Sequence, residues 1–138
     1  MNGSDTIADV LRNSRTIAVV GLSNRRYRPS FGVSQYMQQA GYRIVPVNPQ
    51  ETEVLGEKCY ATLEEIPEPV DIVDVFRRPE FVPEIVEAAI RIGAKVLWLQ
   101  EDVIHEQAAE RARQAGLTVI MDRCILKEHR RLTYSNQG

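Results

Sequence analysis

The sequence predicts an α/β fold, a single domain built on a doubly wound five-stranded parallel sheet. Two observations lead there. One phrase recurs three times: Gln39-Ala40-Gly41, Arg91-Ile92-Gly93 and Gln114-Ala115-Gly116 each precede a short apolar run. Glycine takes the left-handed conformation that closes a helix at little cost, so each phrase reads as helix, stop, strand. The runs themselves are rich in Val, Ile and Leu with little alternation, as parallel strands covered on both faces require. A length of 138 residues suits one such domain.

Residues 1–15 form a leading helix whose apolar face is Ile7, Val10 and Leu11. Ile17 to Val20 is the first strand. Val33, Tyr36, Met37 and Ala40 then line one face of a helix, with Pro29 near its start, where a missing N–H is harmless. The second strand is Tyr42 to Val47. Thr62 and Glu65 have capping-box spacing and open a short helix before Pro67. Val70 to Phe76 is the third strand. The next helix buries Val82, Ile85, Val86, Ala89 and Ile90, with Pro79 or Pro83 in its first turn. Ala94 to Leu99 is the fourth strand. Asp102 is placed to cap a helix with Val103, Ala108, Ala112 and Ala115 inward, and Leu117 to Met121 is the fifth strand. The domain proper is expected to span 16–132, with 133–138 a polar, frayed tail.

Composition narrows the function. Hydrophobic residues at 43% and charged residues at 26% suit a water-exposed domain with a real core. A net charge of -2 gives no reason to expect a nucleic acid or a membrane as partner. Cys59 and Cys124 are far apart and outside any Cys-x-x-Cys spacing, so both read as free thiols in a reducing compartment. Cys124 reads as a buried, inert cysteine. The first fifteen residues carry Asp5, Asp9, Arg12 and Arg15 and lack a signal-peptide core, and no stretch matches a membrane span. A cytoplasmic location is the expectation. His105 and His129 have no metal-ligand spacing with the cysteines and are expected at the surface, with no metal site. No nucleophile has a base beside it, and no G-x-S-x-G, H-E-x-x-H or phosphate-loop pattern occurs, so no catalytic residues are assigned.

Alternating strands and helices require right-handed crossovers and give a Rossmann-like sheet, whose ligands bind beyond the carboxyl ends of the strands. After the first strand, Gly21-Leu22-Ser23-Asn24-Arg25-Arg26-Tyr27-Arg28-Pro29-Ser30 runs into a helix. Gly21 allows a tight turn and close approach to a ligand, and the helix N-terminus with nearby arginines suits a phosphate. After the second strand comes Asn48-Pro49, where a NAD site would have an acid for the ribose hydroxyls; Glu51 reads as loop surface. An adenine against Pro49 is the alternative. Phe76-Arg77-Arg78-Pro79 follows the third strand, where the arginines can meet a phosphate or stack on a purine. Gln100, Glu101 and Asp102 follow the fourth, with Trp98 expected in the core. After the fifth, Asp122 and Arg123 are expected to pair with each other.

The segments Ala18-Val19-Val20-Gly21-Leu22-Ser23, Gly41 to Pro49, Val70 to Arg77, Trp98-Leu99-Gln100 and Met121 to Cys124, in this order, resemble the stand-alone CoA-binding domain proteins. These are similar to the N-terminal CoA-binding domain of the succinyl-CoA synthetase α subunit. The resemblance runs from about Thr16 to Leu132. It implies a Rossmann-type fold with coenzyme A or an acyl-CoA as ligand. It puts Gly21, Ser23 and Asn24 on the phosphate loop, Asn48 and Pro49 on the adenosine side, and Phe76 and Arg77 on the third-strand turn. The full set of cofactor-binding residues expected is Gly21, Leu22, Ser23, Asn24, Arg25, Arg28, Ser30, Asn48, Pro49, Phe76, Arg77, Arg78 and Gln100. Glu101-Asp102 stands where the family commonly has a glycine. The synthetase's second domain is absent, so its ligase activity is not carried over. The expected function is non-catalytic or regulatory binding of a small nucleotide ligand, with a homodimer left open; the alternative is a small NAD(P)-dependent oxidoreductase.

Overall fold

In the computed structural model, which describes residues 3–137, strand β1 (Thr16–Val20) lies between β2 (Arg43–Val47) and β5 (Ile72–Val75). Strands β6 (Val96–Leu99) and β7 (Thr118–Ile120) follow beyond β5. The order β2-β1-β5-β6-β7 is parallel throughout and reverses direction between β1 and β5. The expected doubly wound, Rossmann-like sheet is therefore present. Met1, Asn2 and Gly138, which the sequence assigns to the leading helix and the tail, lie outside the described residues.

Each face of the sheet is covered by helices. Ala18, Val73, Val75, Leu97 and Leu99 point toward α3 (Val82–Arg91) and α4 (Glu106–Gln114). Ile17, Val19, Ile72, Trp98 and Ile120 point the other way, toward α1 (Gly3–Asn13), α2 (Pro29–Gln39) and α5 (Ile125–Gln137). The absence of alternation in the sequence is the mark of this double burial. Trp98 is fully enclosed, and its indole N–H donates to the Arg123 carbonyl at 2.9 Å. A large side chain so buried contributes on the order of 1.5–3 kcal/mol. Gly41, Gly93 and Gly116, the three stops, all have positive φ.

Several local expectations change. On α2 the buried residues are Ser30, Phe31, Ser34 and Met37; Val33 and Tyr36 are half-buried and Ala40 is exposed beyond the helix end. The cap of α4 is His105, whose Nδ1 accepts from the Ala108 N–H at 3.1 Å, and not Asp102. Asp102 instead sits in a left-handed turn at φ 69°, and Ala115 is exposed as the C-cap. The Thr62 side chain makes no cap: Leu63–Glu65 is a single turn of 3-10 helix, and Glu65 accepts from the Ala61 N–H. A two-residue hairpin, β3 (Glu53–Val54) with β4 (Glu57–Lys58), follows β2. Thr133–Gln137, expected in the tail, are the last turns of α5.

The histidines are also drawn inward. His129 is half-buried, with Nδ1 2.9 Å from the Tyr36 hydroxyl, and burial pushes its pKa down. Asp122 and Arg123 do not pair with each other. Asp122 accepts from the Asp102 N–H at 2.8 Å, and Arg123 lies 3.8 Å from the buried Glu128. No helix among the described residues is long and apolar enough to cross a membrane.

Candidate functional site

The reversal between β1 and β5 opens a crevice at the carboxyl ends of the strands, the place where such sheets hold ligands. Gly21 closes its floor. Its N–H donates to the Val47 carbonyl at 2.8 Å, and its φ is +92°. A Cβ built there would stand 2.4 Å from the Phe76 carbonyl oxygen. The glycine is therefore required first by the protein's own backbone, and its side-chain-free surface faces the crevice as well.

Three cavities meet around this point. The first, about 330 Å³, runs from Gly21, Asn48 and Pro49 to Leu63, Ile85 and Arg91. The second, about 460 Å³, lies between Phe76, Arg78, Gln100 and Cys124. The third, about 550 Å³, is bordered by Ser23, Arg25, Arg28, Ser30 and Glu51. Arg77 borders all three, with its guanidinium 4.1 Å from the centre of the Phe81 ring. The stacked arginine is thereby oriented without any carboxylate partner among the described residues, which leaves its charge for an anion.

The third cavity is the basic one. The N-terminus of α2 opens onto it at Pro29 and Ser30, and no side chain caps that end. Pro29 has no N–H and the Phe31 N–H donates to the Arg28 carbonyl at 3.1 Å, so the Ser30 N–H and the positive dipole end, beside Arg25, Arg28 and Arg77, make a phosphate-compatible surface. Ser23 and Ser30 shape the loop: the Ser23 N–H donates to Ser30 Oγ at 3.2 Å, and Ser23 Oγ accepts from the Arg25 N–H at 3.0 Å.

Two of the expected residues are used differently. Leu22 is fully buried in the core, so its side chain cannot reach a ligand; its carbonyl accepts from Asn48 Nδ2 at 3.0 Å. Asn24 is turned away from the cavities and is clasped by Glu51, which accepts from its N–H at 2.7 Å and from Nδ2 at 3.1 Å. Glu51 is thus half-buried and engaged, not free loop surface. Asn48 borders the crevice, yet its amide fastens two loops, donating to Leu22 and accepting from the Gln50 N–H at 2.9 Å. Arg78 is at the edge, 77% exposed and 3.4 Å from Glu80.

Sequence reasoning assigned no role to Asp74. It is buried to 1% exposure within β5 and accepts from Gln100 Nε2 at 2.6 Å. Burial pushes its carboxyl up to about 7, opposed by the Gln100 hydrogen bond. An acid interrupting the apolar run Val70 to Phe76 was the available signal. Cys124, expected buried, is half-exposed and lines the second cavity, and Glu101 there is held by Lys127 Nζ at 3.1 Å. Among the described residues no group of three His, Cys, Asp or Glu stands together as a metal would need.

A family model described as CoA binding domain matches residues 15–130. An uncharacterised protein of Bacillus subtilis, YneT, is 47% identical over 123 residues, covering 89% of this chain and 91% of its own length. The alpha subunit of ADP-forming acetate–CoA ligase I from Pyrococcus furiosus is 27% identical over 128 residues. That match takes in 81% of this chain but 28% of the ligase subunit. Among solved structures, a hypothetical protein from Pyrococcus horikoshii OT3 has a TM-score of 0.93 at 39% identity, covering 96% of this chain and 93% of that one.

Proposed function

The chain belongs to the CoA binding domain family, and from that membership we propose that it binds coenzyme A or an acyl-CoA across the β1–β5 crevice, as a binding or regulatory module. The observation that carries the reading is Arg77, stacked on Phe81 and bordering all three cavities where the strand order reverses. The pyrophosphate fits the uncapped end of α2 at Ser30, and the ribose 3′-phosphate fits the guanidinium groups of Arg25 and Arg28 on the same cavity. The adenosine fits the cavity floored by Gly21 and Pro49, and the pantetheine arm the cavity that ends at Cys124.

A role without chemistry is supported by how the reactive groups are spent. His105 caps α4 and His129 faces Tyr36, so neither stands beside Cys124 as a base. The chain spans only a fraction of the acetate–CoA ligase subunit, and that enzyme's activity stays with it. An oxidoreductase reading is disfavoured at β2: Asn48 fastens loops, and the nearest acid, Glu51, is committed to Asn24.

Calorimetric titration with CoA, dephospho-CoA and NADH tests this directly. CoA is expected to bind with micromolar affinity or better and to raise the melting temperature by mass action. Alanine at Arg25 or Arg28 should shrink the preference for CoA over dephospho-CoA. Alanine at Arg77 should weaken both by about ten-fold or more, the worth of a charge-assisted hydrogen bond. No binding at millimolar CoA, or tighter binding of NADH, would refute the assignment.

A further inference from the structure

Asp74 and Gln100 face each other at the carboxyl end of the sheet, on the face covered by α2 and α5. Asp74 is flanked in register by Val19 and Trp98, and Gln100 is the first residue after β6. Both are almost wholly buried, at 1% and 4% exposure. A carboxylate only accepts hydrogen bonds, so the 2.6 Å contact fixes the Gln100 amide with its NH2 turned inward and Oε1 turned away. Among the described residues no donor reaches Gln100 Oε1, yet Ser34 Oγ is the one buried side-chain N or O atom left without a partner. Oε1 is therefore not sealed in the protein, and the open space that Gln100 borders is the cavity shared with Phe76, Arg77 and Cys124.

We propose that Asp74 is a positioning residue that sets Gln100 to offer a hydrogen-bond acceptor in this cavity, selecting a ligand arm that presents a neutral donor such as an amide N–H. The inference rests on the CoA reading of the crevice, since the pantetheine arm carries amide N–H groups, and it adds how that arm is chosen. An ionised Asp74 locks the acceptor outward. A protonated Asp74 becomes a donor, its O–H donates to Gln100 Oε1, and the flipped amide turns its NH2 toward the cavity, where it repels an N–H. With its carboxyl pushed up to about 7, Asp74 exchanges between the two states near neutrality.

Few charges compete for it. Strands β1 and β6 and helix α2 carry no acidic or basic side chain. Helix α5 brings the buried Glu128, which is paired with Arg131 at 2.8 Å and faces Arg123. The cavity wall brings Arg77, Arg78, Glu101, Asp102 and the Cys124 thiol.

The test compares CoA with adenosine 3′,5′-bisphosphate, which lacks the arm, by calorimetry in buffers of different protonation enthalpy. For the native protein, the affinity ratio of CoA to the bisphosphate should fall about three- to ten-fold between about pH 8 and about pH 5.5, with protons released on CoA binding near neutrality. Asp74→Asn is nearly isosteric and does not titrate. It should abolish the fall in the ratio that Asp74 causes and lose the proton release. Gln100→Leu should lose a similar factor for CoA at about pH 8 while binding the bisphosphate normally. A ratio with the same pH dependence in the native protein and Asp74→Asn, or unchanged CoA affinity in Gln100→Leu, would overturn the proposal and leave CoA binding intact. Failure of both ligands to bind the native protein would remove the CoA reading and this inference together.

Discussion

Replacing Gly21 by alanine puts the crevice's own construction to the test. The residue has φ +92°, where a side chain strains the backbone by about 1–2 kcal/mol. Its Cβ would also stand 2.4 Å from the Phe76 carbonyl oxygen and 3.2 Å from Arg77 Cδ, and a real Cβ needs at least 3.0 Å. The arginine can move, but the carbonyl belongs to the end of β5. The β1 and β5 ends would have to part, against the Phe76 N–H to Val20 carbonyl bond of 2.9 Å. Overpacking of this kind costs about 1–3 kcal/mol, so the combined loss is about 2–5 kcal/mol. That is a large share of a typical stability of about 5–15 kcal/mol, and it lowers the melting temperature by on the order of 10 °C. Gly93→Ala is the control: its φ is +73° with nothing within 4 Å, so it carries the strain alone. Urea denaturation of both variants measures the difference, and calorimetry well below the melting transition measures CoA affinity. If Gly21→Ala is no less stable than Gly93→Ala, the close packing on Phe76 is wrong. If its CoA affinity equals that of the native protein, the ligand does not use this floor.

Asp74→Asn should also change stability with pH. The carboxyl is raised from 3.8 to about 7 in the fold, so the folded state favours the neutral acid. The cost of ionising it is absent below the unfolded value, grows as pH rises toward about 7, and is constant above. The variant should therefore gain on the native protein between about pH 4 and about pH 8, by up to about 4 kcal/mol. A stability difference that stays flat across that range would contradict the burial of an ionisable group. For Cys124→Ser we expect CoA affinity within a few fold of native, since a thiol at the end of the second cavity contributes little to holding the arm. Incubation with oxidised CoA followed by intact-mass measurement checks the reactive alternative, and an adduct that the serine variant loses would show a redox-responsive thiol.

The stops at Gly41, Gly93 and Gly116 and the unalternating runs between them were legible because they are local. Positive φ is cheap only for glycine, and a strand buried on both faces has no polar side to show. The register of the errors is equally physical. Asp102 has the side chain of a helix cap, but its backbone was claimed by a left-handed turn and Asp122 took its N–H, leaving His105 to cap α4. Ala115 and Ala40 continue an apolar period past the point where the helix has already ended. The polar 133–137 segment has no apolar excess of its own to announce the last turns of α5.

The candidate site divides the same way. The sequence by itself determined that polar and basic residues would gather after each strand, because parallel winding forces every carboxyl end to one edge. Which of those residues face open space was decided only by tertiary contacts. Leu22 and Asn24 sit in the same loop as Ser23 and Arg25, yet one is buried in the core and the other is clasped by Glu51, some twenty-seven residues away. Gln100 and Asp74 are separated by 26 positions and meet only because β5 and β6 are neighbours in the sheet. Hydrogen bonds between distant segments leave no period or spacing in a single chain. The strand order that creates them is a property of the packed sheet, and it alone selects which atoms remain for a ligand.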